Sequence, residues 1–464
     1  MARPLIGRTV RRLRQEQKLT QQALAARLGI SASYLNLIEH DQRNVTASLL
    51  IKLAETLGVD FSALSGTAER QIEAQLREVF ADPVVGAEPV PDADVAQLAA
   101  ASPAAARAVL ALYRAWRVAH EESAGIALPS GRRILLPTEE VRDYFNEHQN
   151  HFPPLEAAAE SLSGELGVAP AEMNHAIAER MRRRHGLVVT VGPLEGALRR
   201  YDPATRSLFI SEMLPRQSRG FHLAFQLALL EKREVVDLAV TAAAPTTPEA
   251  AALIRIGLLN YVAAALLMPY APYSAAARAL RHDVEALAAR YTVSFEQAAQ
   301  RLSSLQRPGA RGVPFFFLRV DPAGNVSKRF SAAGFPFARF GGSCPRWVVH
   351  GALATPGTVR VQVAQLPDAA TFLCFARAVI APTVRWGEPP PVHVVAMGCD
   401  IAHASEMAYA DGIDLEKAAI GIGLSCRLCP RPDCRSRAFP PLEHRLALDP
   451  LTTSASPYRF EVPR

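Results

Sequence analysis

Leu19-Thr-Gln-Gln-Ala-Leu-Ala-Ala-Arg-Leu-Gly-Ile-Ser-Ala-Ser-Tyr-Leu-Asn-Leu-Ile-Glu39 decides how this 464-residue chain begins. Leu24 and Leu28 recur at helical spacing before Gly29, and Leu35 and Ile38 do so after it. Thr20 and Ser31 each stand just before an apolar-periodic run, where a side-chain oxygen caps orphan backbone N–H groups. Gly29 relaxes the turn between the two helices and Ile30 fills the gap beneath it. Working outward, Ile6, Val10 and Leu13 predict a preceding helix. Leu49, Leu50, Leu53 and Leu57 predict a fourth that closes the bundle before Gly58.

Such a helix pair places its second helix in a DNA major groove, with the N-terminal residues meeting base edges. Ser33 and Asn36 are the expected base readers. Gln21, Gln22 and Arg43 are expected at phosphates or base edges, and Ser31 and Tyr34 complete the candidate DNA-binding set. The first 60 residues hold nine Lys/Arg and five Asp/Glu, so +4 of the chain's +6 lies here. The segment resembles the Cro-type, lambda-repressor-like family over its whole length. That resemblance implies double-stranded operator DNA as partner and a homodimer or higher homo-oligomer on paired half-sites. The plainer alternative is a helical bundle serving only protein contacts.

At 464 residues and 49% apolar content, several cores are expected. The domains are read as a DNA-binding head over 1–68, a helical linker or dimerisation region over 69–155, a sensor domain over 156–310 and a C-terminal α+β domain over 311–464. The fold class is therefore multidomain, α+β overall. No apolar leader precedes the first helix, and Ile254 to Pro269, with Arg255 and Asn260, reads as too short and too polar to span a bilayer. A cytoplasmic protein with no membrane partner is expected. Pro83 to Ala101 reads as a linker with loose helices, and Pro103 to Glu122 as a core or dimer helix.

From Glu156 the order becomes specific: a helix ending Arg182-Arg-Arg-His-Gly186, a strand Leu187 to Val191, a hairpin Arg199 to Ile210 around an Asp-Pro turn, then helices from Gly220 and Glu249. This resembles the small zinc peptidase-like domain attached to many bacterial Cro-type regulators. In that family a Leu-Ala-His-Glu-Leu-x-His helix supplies two zinc ligands and a catalytic Glu. The matching run here is Leu223-Ala-Phe-Gln-Leu-Ala-Leu229, so Phe225, Gln226 and Leu229 replace them, and Leu258 replaces the third ligand. His222 beside an apolar face reads as structural. The expectation is therefore no enzyme and no catalytic residue. An apolar floor with cations at its rim suits an acyl chain joined to a phosphorylated handle. The candidate ligand-binding residues are Arg199, Arg200, Tyr201, Arg216, Arg219, Phe225, Leu229, Tyr261 and Tyr270.

The last third predicts a hairpin over Gly312 to Phe330, strands Val359 to Ala364, Thr371 to Ile380 and Val392 to Met397, and a mainly antiparallel sheet. Cys426-Arg-Leu-Cys429-Pro-Arg-Pro-Asp-Cys434 has metal-type spacing. A fourth thiolate is expected from Cys399 or Cys344, Cys374 being least suited because it sits within a strand. A 4Fe-4S cluster or zinc fits such a set, and so do merely reduced thiols.

Head, ligand-free peptidase frame and the terminal Cys-x2-Cys-x4-Cys-x4-Phe-Pro-Pro element together resemble the short-chain fatty acyl-CoA regulators of bacteria. The likeness is closest at Val141-Arg-Asp-Tyr-Phe, Arg200-Tyr-Asp-Pro-Ala-Thr, Leu302 to Pro314 and the cysteine motif. It implies a short-chain acyl-CoA effector, propionyl-CoA first, control of propionate-type metabolism and, for some members, a four-iron cluster. The competing expectations are a redox- or iron-responsive transcription factor and, disfavoured by the missing ligands, a zinc metallopeptidase that cleaves a repressor.

Overall fold

A computed structural model describes residues 7–40, 42, 43, 45–59, 67–82, 85, 90–123, 137–337, 343–381, 387–441, 444–447 and 449–461. Helices α1 (Gly7–Glu16), α2 (Gln21–Leu28), α3 (Ala32–Glu39) and α4 (Ala47–Leu57) form the head. The caps are the expected ones. Thr20 accepts from the Ala23 N–H, Ser31 from the Tyr34 N–H, and Gly29 adopts φ +71°, which favours glycine. Val10, Leu13, Leu24, Leu28, Leu35, Ile38, Leu49, Leu53 and Leu57 are buried together, while Leu50 packs against them partly exposed. Ile6 lies outside the described residues.

The segment between head and sensor is more ordered than its composition promised. Helices α5 (Thr67–Phe80), α6 (Asp92–Ala101) and α7 (Pro103–Ser123) enclose a small core of Leu76, Val79, Val95, Ala99, Ala106, Leu110 and Tyr113. The loose-helix expectation fails for α6 because Val95 and Ala99, four apart on one face, have partners on α5 and α7. Residues 83, 84 and 86–89 of that stretch lie outside the described ones.

The sensor core begins earlier than residue 156. Helix α8 (Pro137–Glu147) already packs against it through Val141, Tyr144 and Phe145. Phe145 lies over Gly257, where an added Cβ would sit 2.8 Å from its ring. Helix α9 (Pro153–Leu166), a short 3₁₀ turn and α10 (Met173–His185) lead into strands β1 (Val188–Gly192), β2 (Arg199–Asp202) and β3 (Ser207–Ser211). These form a sheet of order β1-β3-β2, with β1 parallel and β2 antiparallel to β3.

Helices α11 (Arg216–Glu231), α12 (Arg233–Ala242), α13 (Pro248–Leu267), α14 (Tyr270–Ala279), α15 (Val284–Tyr291) and α16 (Phe295–Ser303) complete the layer over that sheet. Helix α13 has 20 residues and is long and apolar enough by composition to cross a membrane, so the expectation that this stretch is too short fails. Its buried side chains, Ile254, Leu258, Val262 and Leu266 among them, belong to the domain's own core.

The C-terminal third is a sheet of order β5-β4-β8-β7-β6-β9, antiparallel except for β6 with β9. Its strands are β4 (Phe316–Val320), β5 (Val326–Ser331), β6 (Arg360–Gln365), β7 (Thr371–Ile380), β8 (Val392–Asp400) and β9 (Ala419–Gly421). Side chains alternate between two cores. Phe317, Val363, Leu373, Phe375, Val395 and Met397 join the sensor core. Phe316, Leu318, Ala364, Cys374 and Ala396 face an aromatic cluster of Phe335, Phe337 and Trp347 under the short helix α17 (Val348–Ala352). Sensor and C-terminal thirds thus share one core across a sheet face.

Candidate functional site

In the head, Arg14 reaches from α1 to Glu39 with Nε to Oε1 at 2.6 Å and Nη2 to Oε2 at 2.9 Å. Glu39 is 1% exposed, so this bidentate pair fixes α3 against α1. Gln21 Nε2 bridges from α2, donating to Glu39 Oε2 at 2.8 Å and to Asn36 Oδ1 at 3.1 Å. A chain of hydrogen bonds thereby orients the exposed Asn36 amide from a buried anchor. Gln22, Ser33 and Arg43 are exposed and available. Ser31 is occupied as the cap and Tyr34 packs partly against the head's core. Sequence reasoning missed Arg14 and Glu39, because partners 25 residues apart leave no local pattern.

In the sensor, Arg199 opens β2 opposite Ile210 of β3, facing α11. Its guanidinium carbon lies 4.0 Å from the centre of the Phe225 ring, and Nη1 donates to Gln226 Oε1 at 3.1 Å. Burial pushes the Arg199 pKa down to about 10. His222, one turn before Gln226, is pushed down to about 4 by burial and then by the Arg199 charge, so its ring is neutral near pH 7. Gln226 is fully buried, and its Nε2 has no partner. Phe225 and Leu258 are buried in the core, with Leu229 packed against it.

The other candidate ligand residues divide. Arg200 and Arg216 are exposed, and Tyr201 packs partly against the core. Arg219 is engaged elsewhere, donating to the Leu214 and Glu212 carbonyls. Tyr261 and Tyr270 belong to a separate buried network. Arg301 there donates to Glu156 Oε2 at 3.0 Å, to the Met268 carbonyl at 2.9 Å and to Ser304. The Tyr261 hydroxyl donates to Glu156 at 2.6 Å, and Tyr270 donates to the Ala310 carbonyl. Burial opposes ionisation of Glu156, but the Arg301 charge and hydrogen bonds outweigh it and hold the carboxyl below its ordinary range. Nothing in the sequence linked Glu156 to Arg301, 145 residues away.

Of the cysteines, Cys399 lies inside β8 rather than after it. It is buried in the sensor core, so its thiol is on the far side of the sheet from Cys344, which lines the aromatic core. Burial raises the Cys344 thiol, and the Cys429 and Cys426 thiols are close enough to add to that. The Ala438 N–H donates to Cys426 Sγ at 3.3 Å, and Arg437 braces the loop at the Cys426, Cys429 and Arg431 carbonyls. Cys374 is fully buried within β7. Among the described residues no three His, Cys, Asp or Glu side chains converge tightly enough to hold a metal ion, so the cysteine set does not form a closed site as it stands.

With this geometry in hand, three families match along the chain. Residues 10–64 match the helix-turn-helix family, 182–303 the IrrE N-terminal-like domain, and 304–458 the C-terminal domain of the short-chain fatty acyl coenzyme A regulators. The chain is 41% identical over 470 residues to the HTH-type transcriptional regulator RamB of Mycobacterium tuberculosis, covering 99% of each chain. It is 41% identical over 458 residues to the propionyl-CoA carboxylase regulator of Cereibacter sphaeroides, covering 98% of each. A solved Mycobacterium tuberculosis transcriptional regulator superposes with a TM-score of 0.67 at 40% identity, over 70% of this chain and 99% of that one.

Proposed function

The chain belongs to the short-chain fatty acyl coenzyme A regulators, helix-turn-helix transcriptional regulators, and on that premise we propose that it binds operator DNA under the control of a short-chain acyl-CoA, propionyl-CoA first. The single observation that carries the sensing role is the state of the peptidase frame. Phe225, Gln226 and Leu258 stand at three of its ligand and catalytic positions and are all buried, so packing has replaced cleavage chemistry. The name of one relative, a propionyl-CoA carboxylase regulator, supports the choice of effector and of the genes controlled.

On this reading the head binds as a homodimer, with Asn36 and Ser33 at base edges and Gln21, Gln22 and Arg43 around them. The effector favours one arrangement of the paired heads. Moving that equilibrium from 1:99 to 99:1 takes a differential affinity of about 5.5 kcal/mol. Operator titration with and without propionyl-CoA tests the proposal: a tenfold or larger change in operator affinity is expected, and identical curves with every short acyl-CoA would sink it.

We propose that a metal ion or 4Fe-4S cluster would be held by Cys426, Cys429 and Cys434 with Cys344. Cys344 lies close enough to Cys429 and Cys426 for their charges to act on its thiol, and a backbone N–H already donates to Cys426 Sγ. The loop would supply thiolates and Arg437 its rigidity. Iron and zinc analysis of anaerobically purified protein, with Cys344→Ser and Cys399→Ser compared, tests the assignment: retention of metal in Cys344→Ser and loss in Cys399→Ser would reverse it.

A further inference from the structure

Arg199 sits in a setting that proteins ordinarily avoid. Its guanidinium is lodged between β2 and α11, against the face of Phe225, and among the described residues its hydrogen-bond acceptor is a neutral amide oxygen. No carboxylate among the described residues pairs with it, and no acidic group contributes to its shifted pKa, which burial alone accounts for. Arg199 is partly buried, and a cation with reduced access to water and no charged partner is destabilising unless something compensates it. Beside it is a second anomaly. Gln226 is 0% exposed, its Oε1 is taken by Arg199, and its Nε2 is a buried donor with no acceptor. His222, on the same helix one turn earlier, is held neutral and offers one more ring N–H. Donors outnumber acceptors in this group, the unprotonated His222 nitrogen being the acceptor left over.

We propose that Arg199, Gln226 Nε2 and His222 form a receptor for a small oxyanion, built on the helix positions where related peptidases hold their metal. A planar guanidinium matches a pair of oxygens on one carboxylate or phosphate, and an amide N–H₂ reaches a further lone pair. The substitution of Gln226 for a catalytic carboxylate makes sense in this light: a Glu there would neutralise Arg199 internally and close the site to an outside anion. Phe225 holds the guanidinium flat by its ring face, a contact an imidazole ligand would not give while bound to a metal. The inference rests on the sensor reading of this lobe and adds the chemistry it recognises. The oxyanion has two sources, the carboxylate of a free short-chain acid or a phosphate group of an acyl-CoA.

The test uses the full chain in thermal-shift and calorimetric titrations against sodium propionate, inorganic phosphate and propionyl-CoA, with wild type beside Arg199→Met. At least one of the three ligands is expected to raise the wild-type melting temperature. Arg199→Met is expected to fold, to melt no lower than wild type without ligand, and to bind that ligand at least tenfold more weakly. Gln226→Leu is the second variant, read the same way, should Arg199→Met fail to fold. A shift with propionate or phosphate that Arg199→Met loses, with no response to propionyl-CoA, upholds the receptor and overturns the acyl-CoA reading. Equal affinity of wild type and Arg199→Met for propionyl-CoA upholds that reading and overturns the receptor. No response to any of the three oxyanions overturns the receptor as well.

Discussion

Two arginines of one lobe, Arg301 and Arg199, have opposite surroundings. Arg301 is 1% exposed and fully matched, by the Glu156 carboxylate, the Met268 carbonyl and the Ser304 hydroxyl, with the Tyr261 and Tyr270 rings 5.9 and 5.8 Å away. Arg199 has an aromatic face and one amide oxygen. The first network joins α9, α13, α16 and the turn after α13, and its Glu156–Arg301 charges answer each other within the chain, although His151 beside Tyr261 keeps one ring nitrogen without a partner. The second ends in unanswered donors. Satisfied polar networks specify a unique packing, whereas departures from that rule gather at functional or strained sites. The difference separates what holds this lobe together from what it holds out to its surroundings.

The comparison breaks most visibly at Glu156. Glu156→Leu leaves Arg301 as an uncompensated buried charge and is expected to cost about 3–5 kcal/mol, read as a lowered urea midpoint with unchanged slope. A loss below about 1 kcal/mol would mean that Arg301 is not held by this carboxylate. The head offers a case between the two, since the Gln21–Asn36 bond is anchored at Glu39 yet faces solvent. Asn36→Ala is expected to cost about 1–3 kcal/mol on the specific operator and little on random DNA, at matched salt. Equal losses on both DNAs would remove its base-reading role.

Acid should attack a third, closed network. Burial opposes ionisation of Glu231, but hydrogen bonds from Arg180 and His185 overcome it and hold the carboxyl down at about 2, against an ordinary 4.5. Because the folded-state value is depressed, the stabilisation is present above pH 4.5 and fades as pH falls through 2. Thermal melts of Glu231→Gln should therefore converge on wild type in that window and lie below it at neutral pH. A constant gap down to pH 2 would contradict the pairing. The smallest effect is expected at the open end of the comparison: Arg199→Met should change ligand-free stability by less than about 1 kcal/mol, or raise it. A loss of Glu156→Leu size would show that Arg199 is structural.

What the chain disclosed in advance was local. Caps at Thr20 and Ser31, the turn at Gly29 and the apolar faces of the head need only neighbours within four residues, and they stand where the pattern put them. The replacements at Phe225, Gln226, Leu229 and Leu258 were legible because a helical repeat fixes their spacing. Other features depend on partners far along the chain. Glu156 and Arg301, Arg14 and Glu39, and Tyr261 and His151 meet only after folding, and single-chain periodicity has no term for them. Cys399 looked like a residue just past a strand because Gly398 resembles a terminator. In the sheet that glycine lies under the Phe316 ring, where an added Cβ would be 2.4 Å away, and β8 continues to Asp400. The ligand set of the sensor was half legible: Arg199 and Phe225 do meet, but Arg219, Tyr261 and Tyr270 have other occupations.

The sheet face that carries Phe317, Phe375 and Met397 into the sensor core has a bearing on how such a chain is inherited. The head has a core of its own, distinct from that of the helices behind it, with α1 also touching α6. The sensor and the cysteine-bearing third share theirs. A recombination event falling between Ser303 and Phe315 would bare the Phe317, Phe375 and Met397 face of the C-terminal piece, an apolar surface of the kind that invites aggregation. A change at the shared face must therefore suit both sides in the same step.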